Sequence, residues 1–347
     1  MIRVGVVGAN PERGWAARAH LPALAGHPDV ELVAVATTRQ DSADEAARRW
    51  GARHAFADAN QLITHPDVDL VTVAVRVPYH RELVTAAITA GKHVYCEWPL
   101  VVTAAQAREL RDRAETRGIR TAVGLQARHN PGVRALRRLV ADGHVGEVLS
   151  ATLTYASPSP FRTAIPPGMA WMADADQGAN VLTISAGHAL DMLRYVLGPV
   201  RSVSATLATR TRVTGVTSPD QVLVQTVLDG GAVASSHVQW GGPQSSGLRL
   251  EIHGSDRTLL LSAEQSLAAS PLRITDGAGG PAGADEPVDY GDPGDLPAAT
   301  VARVYAAFAA AIRAQTPFDP DFSTAAGLHE LLDAVRASAA TGQRQTL

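Results

Sequence analysis

The first 125 or so residues alternate short apolar runs with helical patterns, and this constrains the fold more than any other feature. Apolar runs sit at Ile2–Val7, Glu31–Ala36, Leu70–Val75, His93–Cys96 and Thr121–Leu125. Continuous apolar runs separated by helices read as parallel strands buried on both faces. The tetrapeptide His-Pro-Asp-Val occurs twice, at His27–Val30 and His65–Val68, each time just ahead of a strand. Proline cannot continue a helix, so both copies read as helix-to-strand turns. Helix ends are marked as well. Ser42 with Glu45, and Thr103 with Gln106, have capping-box spacing, while Gly51, Gly91 and Gly118 stand where helices should stop. A βαβα series of this kind predicts a doubly wound parallel sheet of the Rossmann type over residues 1–125.

Beyond Leu125 the pattern changes. A helix is expected over Pro131–Ala141, stopped by Gly143. Alternating, Thr/Ser/Val-rich segments follow at Val148–Tyr155, Ser202–Thr211, Gln221–Leu228, Ala232–Trp240, Leu248–His253 and Thr258–Ser262. Alternation fits antiparallel strands with one face covered. A helix over Asn180–Leu197 interrupts them. Residues 126–347 therefore read as a second, α+β domain with a large, mostly antiparallel sheet. Within it, Thr275–Thr300 reads as a mobile acidic loop, and residues 302–340 as C-terminal helices. A chain of 347 residues accommodates two such domains. No repeat of solenoid length is present.

Composition excludes several classes. Lys plus Arg is 31 and Asp plus Glu is 34, a net charge of -3, which leaves no footprint for nucleic acid or an anionic membrane surface. No apolar run approaches the roughly 20 residues needed to cross a bilayer. Cys96 is the only cysteine, so an internal disulfide is impossible and a reducing, cytoplasmic location is expected. The chain opens as a strand entering a glycine turn, not as a signal peptide. No His/Cys/Asp/Glu spacing suggests a metal site.

The first strand ends in Gly5-Val-Val-Gly8-Ala9-Asn10, followed by Gly14-Trp15. Such a turn lets the backbone approach a pyrophosphate and aims helix N–H groups at it; Asn10 stands at the second glycine position of the usual fingerprint. The second strand ends in Thr37-Thr38-Arg39, where NAD-binding sheets place a carboxylate for the ribose hydroxyls. A missing acid beside a guanidinium suits a 2′-phosphate, which favours NADP over NAD; a solvated Arg39 is the alternative.

Two further segments, Val73-Ala-Val75-Arg-Val-Pro78-Tyr79-His80 and Gly91-Lys-His-Val-Tyr-Cys-Glu97-Trp98-Pro99-Leu100, carry a more specific resemblance. With Leu125-Gln-Ala-Arg128-His-Asn-Pro131, Gly187-His188-Ala-Leu-Asp191 and the ending Phe322-Ser-Thr, they make the chain resemble the Gfo/Idh/MocA family over essentially its whole length. The resemblance implies a Rossmann domain, a second domain built on a mostly antiparallel sheet, NAD(P), and sugar or polyol substrates. It also implies a homodimer through the exposed face of the second sheet.

Departures from the family pattern bear on chemistry. The family's lysine, in Glu-Lys-Pro, is Trp98 here, and its aspartate, four residues before the histidine, is Ile184. An indole is a donor only and cannot shuttle a proton. Lys92, the single lysine, stands at the start of the strand that ends near Glu97. Five residues of strand put it about 16 Å from the site. Glu97-Trp98, Gly14-Trp15 with His20, and Ser185-Ala-Gly187-His188 resemble a narrower subgroup, that of the fungal galactose-pathway repressor, which implies NADP binding and a protein partner in place of turnover.

The resulting candidates are His188 and Tyr79 as catalytic groups. Gly5, Gly8, Ala9, Asn10, Trp15, Thr37, Thr38, Arg39, Val75, Pro78, His80, Glu97, Trp98 and Arg128 are candidates for the cofactor. Trp171, Asp174, Asp176 and His188 are candidates for the substrate. Each has a plainer reading. His188 lies in an apolar helix and can be a core residue. Glu97 can serve a local bond, Arg128 can pair with an acid, and Trp98 can be packing. His20 reads as structural. Two functions stay open: an NAD(P)-dependent oxidoreductase with an altered acid–base set, and a redox-inert NADP-binding regulator.

Overall fold

The computed structural model describes residues 1–242, 244–265, 267, 270–277 and 295–347. They form two compact units, one of Met1–Gln126 with Pro297–Gly327, the other of Ala127–Leu296 with Leu328–Leu347.

The first unit is built on six parallel strands: β1 (Ile2–Val7), β2 (Val30–Ala36), β3 (His54–Phe56), β4 (Leu70–Val73), β5 (His93–Cys96) and β6 (Thr121–Val123). Their order is β3-β2-β1-β4-β5-β6. This is the doubly wound arrangement the alternation predicts, with the strand order reversing at β1 and β4. The crossover helices are α1 (Leu21–Leu24), α2 (Gln40–Trp50), α3 (Ala59–Thr64), α4 (His80–Thr89) and α5 (Ala104–Thr116). Gly5 is glycine for packing: a Cβ there would stand 2.7 Å from Leu62 of α3.

Both His-Pro-Asp turns form. The Nδ1 of His27 accepts the Asp29 N–H at 3.1 Å, and that of His65 accepts the Asp67 N–H at 3.2 Å. Thr103 caps α5 by accepting the Gln106 N–H, and Gly51 ends α2 in the left-handed region. The Ser42–Glu45 capping box does not form, because α2 already begins at Gln40, ahead of Ser42. The strand expected over Leu70–Val75 stops at Val73 and gives way to a 3-10 turn at Val77–Tyr79, where Pro78 withholds its N–H.

The C-terminal helices, expected with the second domain, divide. Val301, Val304, Tyr305, Phe308 and Ile312 of helix Leu296–Ala314 join Val4, Val6, Leu32, Leu70 and Tyr95 in one apolar core of the first unit. Their spacing is that of one apolar helix face, which the first sheet covers.

The second unit opens with α6 (Pro131–Ala141) and carries β7 (Val148–Ser157), α7 (Ala170–Ala173), α8 (Gly187–Leu197), β8 (Val200–Ala208), β9 (Gln221–Leu228), β10 (Val233–Trp240), β11 (Gly247–Gly254), β12 (Thr258–Ala263), β13 (Arg273–Asp276) and β14 (Gln345–Thr346). The sheet order is β13-β12-β11-β7-β10-β9-β8-β14. Only the β7–β10 pair is parallel; the rest is antiparallel. Alternation sets the faces: in β9, Val222, Val224, Thr226 and Leu228 are buried, while Leu223 and Gln225 are exposed. Of the segment expected as an acidic loop, Thr275 and Asp276 belong to β13 and residues 296–300 to a helix. Residues 278–294 lie outside the described set.

Candidate functional site

In the first unit the candidate cofactor residues gather at the carboxyl ends of β1, β2, β4 and β5. Gly8 leaves β1 at φ +91°, and a Cβ there would stand 2.5 Å from the Ala74 carbonyl oxygen. Only glycine fits both demands. The Gly8 and Ala9 N–H groups donate to the Ala36 carbonyl, which closes the turn against β2. Asn10 Oδ1 accepts the N–H groups of Glu12 and Arg13 at 3.1 and 3.0 Å, so its side chain shapes the loop. The chain then enters a π-helical turn, Ala16–His20. Just ahead of that turn, Trp15 holds its indole Nε1 buried without a hydrogen-bond partner among the described residues. A buried N–H left unbonded beside a helix start is a donor awaiting an acceptor.

At the end of β2, the Thr37 N–H donates to the Phe56 carbonyl at 3.1 Å and the Thr37 hydroxyl to the Arg39 carbonyl at 2.8 Å. Thr38 and Arg39 are exposed, and Arg39 pairs with the equally exposed Asp41 at 3.2 Å. Beyond β4, Tyr79 is 58% exposed and Pro78 is exposed, while Val75 is half-buried.

His80 sits elsewhere than on an open surface. Its Nδ1 faces the carbonyls of Pro99 and Leu100 at 3.0 and 3.2 Å, and its Nε2 faces that of Val75 at 3.1 Å. The ring ties the β4 exit to the β5 exit. Burial pushes its pKa down, against the pull of those carbonyls.

The end of β5 carries a hydrogen-bonded network around Glu97. Glu97 accepts from His20 Nε2 at 2.9 Å and from Gln126 Nε2 at 2.9 and 2.8 Å. His20 Nδ1 meets the Tyr305 hydroxyl at 2.8 Å, which meets the Thr72 hydroxyl at 2.9 Å. A Cβ at Gly124 would stand 2.5 Å from the Glu97 carboxylate. Glu97 thus serves the local role. His20 is fully buried, as its structural reading requires. Burial raises the Tyr95, Cys96 and Tyr305 pKa values, so these groups stay protonated. Trp98 is 6% exposed and belongs to the core. Lys92 donates to the carbonyls of His65 and Val68 at 3.0 and 2.7 Å, at the opposite end of β5.

In the second unit, Asn180 Oδ1 accepts the N–H groups of Leu182 and Thr183 and starts a π-helical turn, Leu182–Ala186, that runs into α8. The helix expected over Asn180–Leu197 is therefore wound more loosely in its first turn, and π turns recur at functional positions. Ser185 accepts from Trp240 Nε1 at 2.8 Å, which fixes that turn to β10. Ile184 and His188, four residues apart, are half-buried among buried neighbours, so both lie on one less covered face.

Arg128 adopts its pairing alternative: Nε and Nη2 donate to Asp191, the closest contact being 2.6 Å, with Asp191 fully buried. Its planar fork is matched by the carboxylate. Trp171 is half-buried on α7. Asp174 caps the Asp176 N–H at 2.9 Å, and Asp176 is exposed.

Sequence spacing also missed one grouping. His54, His65 and Asp67 offer donor atoms within 4.8 Å of one another, although 13 residues separate His54 from Asp67. The second His-Pro-Asp turn was the available signal. Among the described residues, no helix is long and apolar enough to cross a membrane.

Comparison with known proteins identifies the family and the fold. Residues 2–125 match the oxidoreductase family with an NAD-binding Rossmann fold, and residues 133–260 match the GFO/IDH/MocA C-terminal domain. Dehydrogenase aclE of Aspergillus oryzae is 32% identical over 59% of this chain and 57% of its own length. The galactose/lactose metabolism regulatory protein GAL80 of Kluyveromyces lactis is 25% identical over 76% of this chain and 64% of its own. The aligned stretches thus span less than two thirds of these relatives. A solved levoglucosan dehydrogenase in complex with NADH superposes with a TM-score of 0.84 at 24% identity, covering 99% of this chain and 98% of that one. That likeness shows the fold. With both of its domain models matched in order along the sequence, this chain belongs to the Gfo/Idh/MocA family of oxidoreductases.

Proposed function

We propose that this chain binds NADP in preference to NAD and acts on a sugar- or polyol-like small molecule as an oxidoreductase with an atypical proton-handling set. The observation that carries the cofactor half is the buried Trp15 Nε1, unbonded among the described residues, in the segment that follows the Gly8 turn. A pyrophosphate oxygen would supply the missing acceptor, and the first N–H groups of the helix would share its charge. Gly8, Ala9 and Asn10 hold that turn in shape. Thr37, Thr38 and Arg39 meet the adenine-side ribose, with Arg39 exposed enough to leave Asp41 for a 2′-phosphate. Val75, Pro78 and Tyr79 border the nicotinamide side. When bound, the cofactor supplies a hydride acceptor.

The substrate half rests on His188, half-buried beside Ile184 at the π turn. His188 and Tyr79 are the candidate proton-handling groups, and Trp171, Asp174 and Asp176 are candidates for substrate contact. Trp98 and Ile184 supply neither an amine nor a carboxylate where the family resemblance calls for them. Conventional alcohol oxidation should therefore be slow.

That same substitution supports a second reading, a redox-inactive NADP sensor with a protein partner, and the GAL80 relatives are regulatory proteins. The exposed face of the second sheet, with Thr154, Leu223, Gln225 and Ser235, is the proposed homodimer surface, and the proposed location is cytoplasmic.

The test is His188→Ala, assayed for NADPH formation and ligand binding against a panel of sugars and polyols. A substrate-facing role predicts weakened binding or turnover with an unchanged melting temperature. A stability loss of about 1–3 kcal/mol with unchanged ligand response would make His188 a core residue and remove it from the site.

A further inference from the structure

We propose that His54, His65 and Asp67 form a binding site for a divalent transition-metal ion of the zinc, cobalt or nickel type, at the edge of the first sheet and independent of the cofactor reading. The three residues come from separate places in the fold. His54 begins β3, the edge strand, while His65 and Asp67 lie in the turn between α3 and β4. Their donor atoms lie within 4.8 Å of one another, and all three are half-buried. The two imidazole rings stand 4.2 Å apart between centroids, with Phe56 on the same face 5.7 Å from His65. Two imidazoles and a carboxylate suit borderline metals that take nitrogen and oxygen together, and leave further coordination positions for water.

The polar contacts around the group are those such an ion would use. His54 Nε2 lies 2.9 Å from Asp67 Oδ2, so a proton now bridges them. A metal ion would stand in that proton's place. The other carboxylate oxygen, Oδ1, accepts from Arg3 Nη1 at 3.3 Å, and Arg3 is itself held by Asp69 at 2.8 Å. This outer contact orients Oδ2 toward the histidines, the usual task of a group bonded to a metal ligand. His65 Nδ1 accepts the Asp67 N–H at 3.2 Å, which puts the ring proton on Nε2. Coordination through Nε2 moves that proton to Nδ1 and gives up the 3.2 Å bond, so the site trades one weak contact for a metal bond.

The consequence for the fold is local. β3 is three residues long and, among the described residues, pairs only with β2. A metal ion would tie its first residue to the α3–β4 turn. At the other end of the strand, the Phe56 carbonyl accepts the Thr37 N–H.

The test is a titration of the chelator-treated full chain with cobalt(II) chloride, followed by displacement with zinc(II) chloride. The expected result is saturation at one equivalent, with visible absorption bands of nitrogen- and oxygen-ligated cobalt, and a melting temperature raised by zinc. His54→Gln and Asp67→Asn should each weaken the cobalt affinity by about tenfold or more, with unchanged circular dichroism in chelator. If one of them fails to fold, His65→Gln carries the same expectation. Absence of saturable cobalt binding, or variants that bind as the parent does, would overturn the proposal.

Discussion

The carboxyl ends of β1 and β5 are finished in opposite ways. Past β1, the Gly8 turn is closed against β2 by its own N–H groups, and the Trp15 indole N–H is buried with no partner among the described residues. Past β5, Glu97 is filled by His20 and Gln126, Tyr305 bridges His20 to Thr72, and Trp98 is buried. At the first end, the Trp15 N–H finds no acceptor among the described residues. At the second, the chain supplies partners for Glu97, His20 and Gln126, while the buried Tyr95 hydroxyl has none among the described residues. The position after Glu97, held by Trp98, is therefore an occupied, packed place. On the proposed function, that difference would separate nucleotide binding from proton transfer.

Removing the carboxylate at the end of β5 should have the largest effect on stability. Glu97→Ala strands the buried donors of His20 and Gln126, at a cost of about 1–3 kcal/mol for each one left unsatisfied. Chemical denaturation measures it, and an unchanged midpoint would mean that water replaces the carboxylate.

The end of β1 should respond the other way. Trp15→Phe removes an N–H that bonds nothing among the described residues, so stability should move by less than about 0.5 kcal/mol, the range for substitutions that break no such feature. Cofactor affinity, read by calorimetry, should fall roughly tenfold, since bonds to charged groups contribute about 1.5–3 kcal/mol. The reverse pattern, lost stability with unchanged affinity, would make Trp15 a packing residue. The smallest effect concerns cofactor choice. Arg39→Ala, on an exposed side chain, should bring the NADP and NAD affinities within a few-fold of each other; equal affinities in the parent would refute the preference.

Much of this was legible in the sequence, for physical reasons. Buried parallel strands must be apolar throughout, so β1, β4 and β5 stood out, whereas β3, with half-buried His54-Ala-Phe56, carries no such run. The Gly8 turn was readable because a positive φ leaves few residue choices. The destination of helix Leu296–Ala314 was hidden, since its apolar face shows that something covers it without showing which sheet does. The same limit applies to partners. Arg128 and His80 could be named, but only the fold shows Asp191 behind one and three carbonyls around the other. Ser42 and Glu45 had the spacing of a cap and still lie inside a helix, because spacing alone does not fix where a helix begins.

On the proposed function, this chain keeps the nucleotide end of its family and has lost the means of moving the proton at the other. The most direct measurement is the rate of NADPH formation by cofactor-saturated protein across a panel of aldoses and polyols, beside the double variant Trp98→Lys with Ile184→Asp. The account predicts saturable NADP binding and turnover by the unmodified protein about 10²–10⁴-fold below a site with a working acid–base group. It also predicts a gain in the double variant that Trp98→Lys alone does not give. Fast turnover by the unmodified protein on any such substrate would contradict it, because another residue would then be doing the lysine's work.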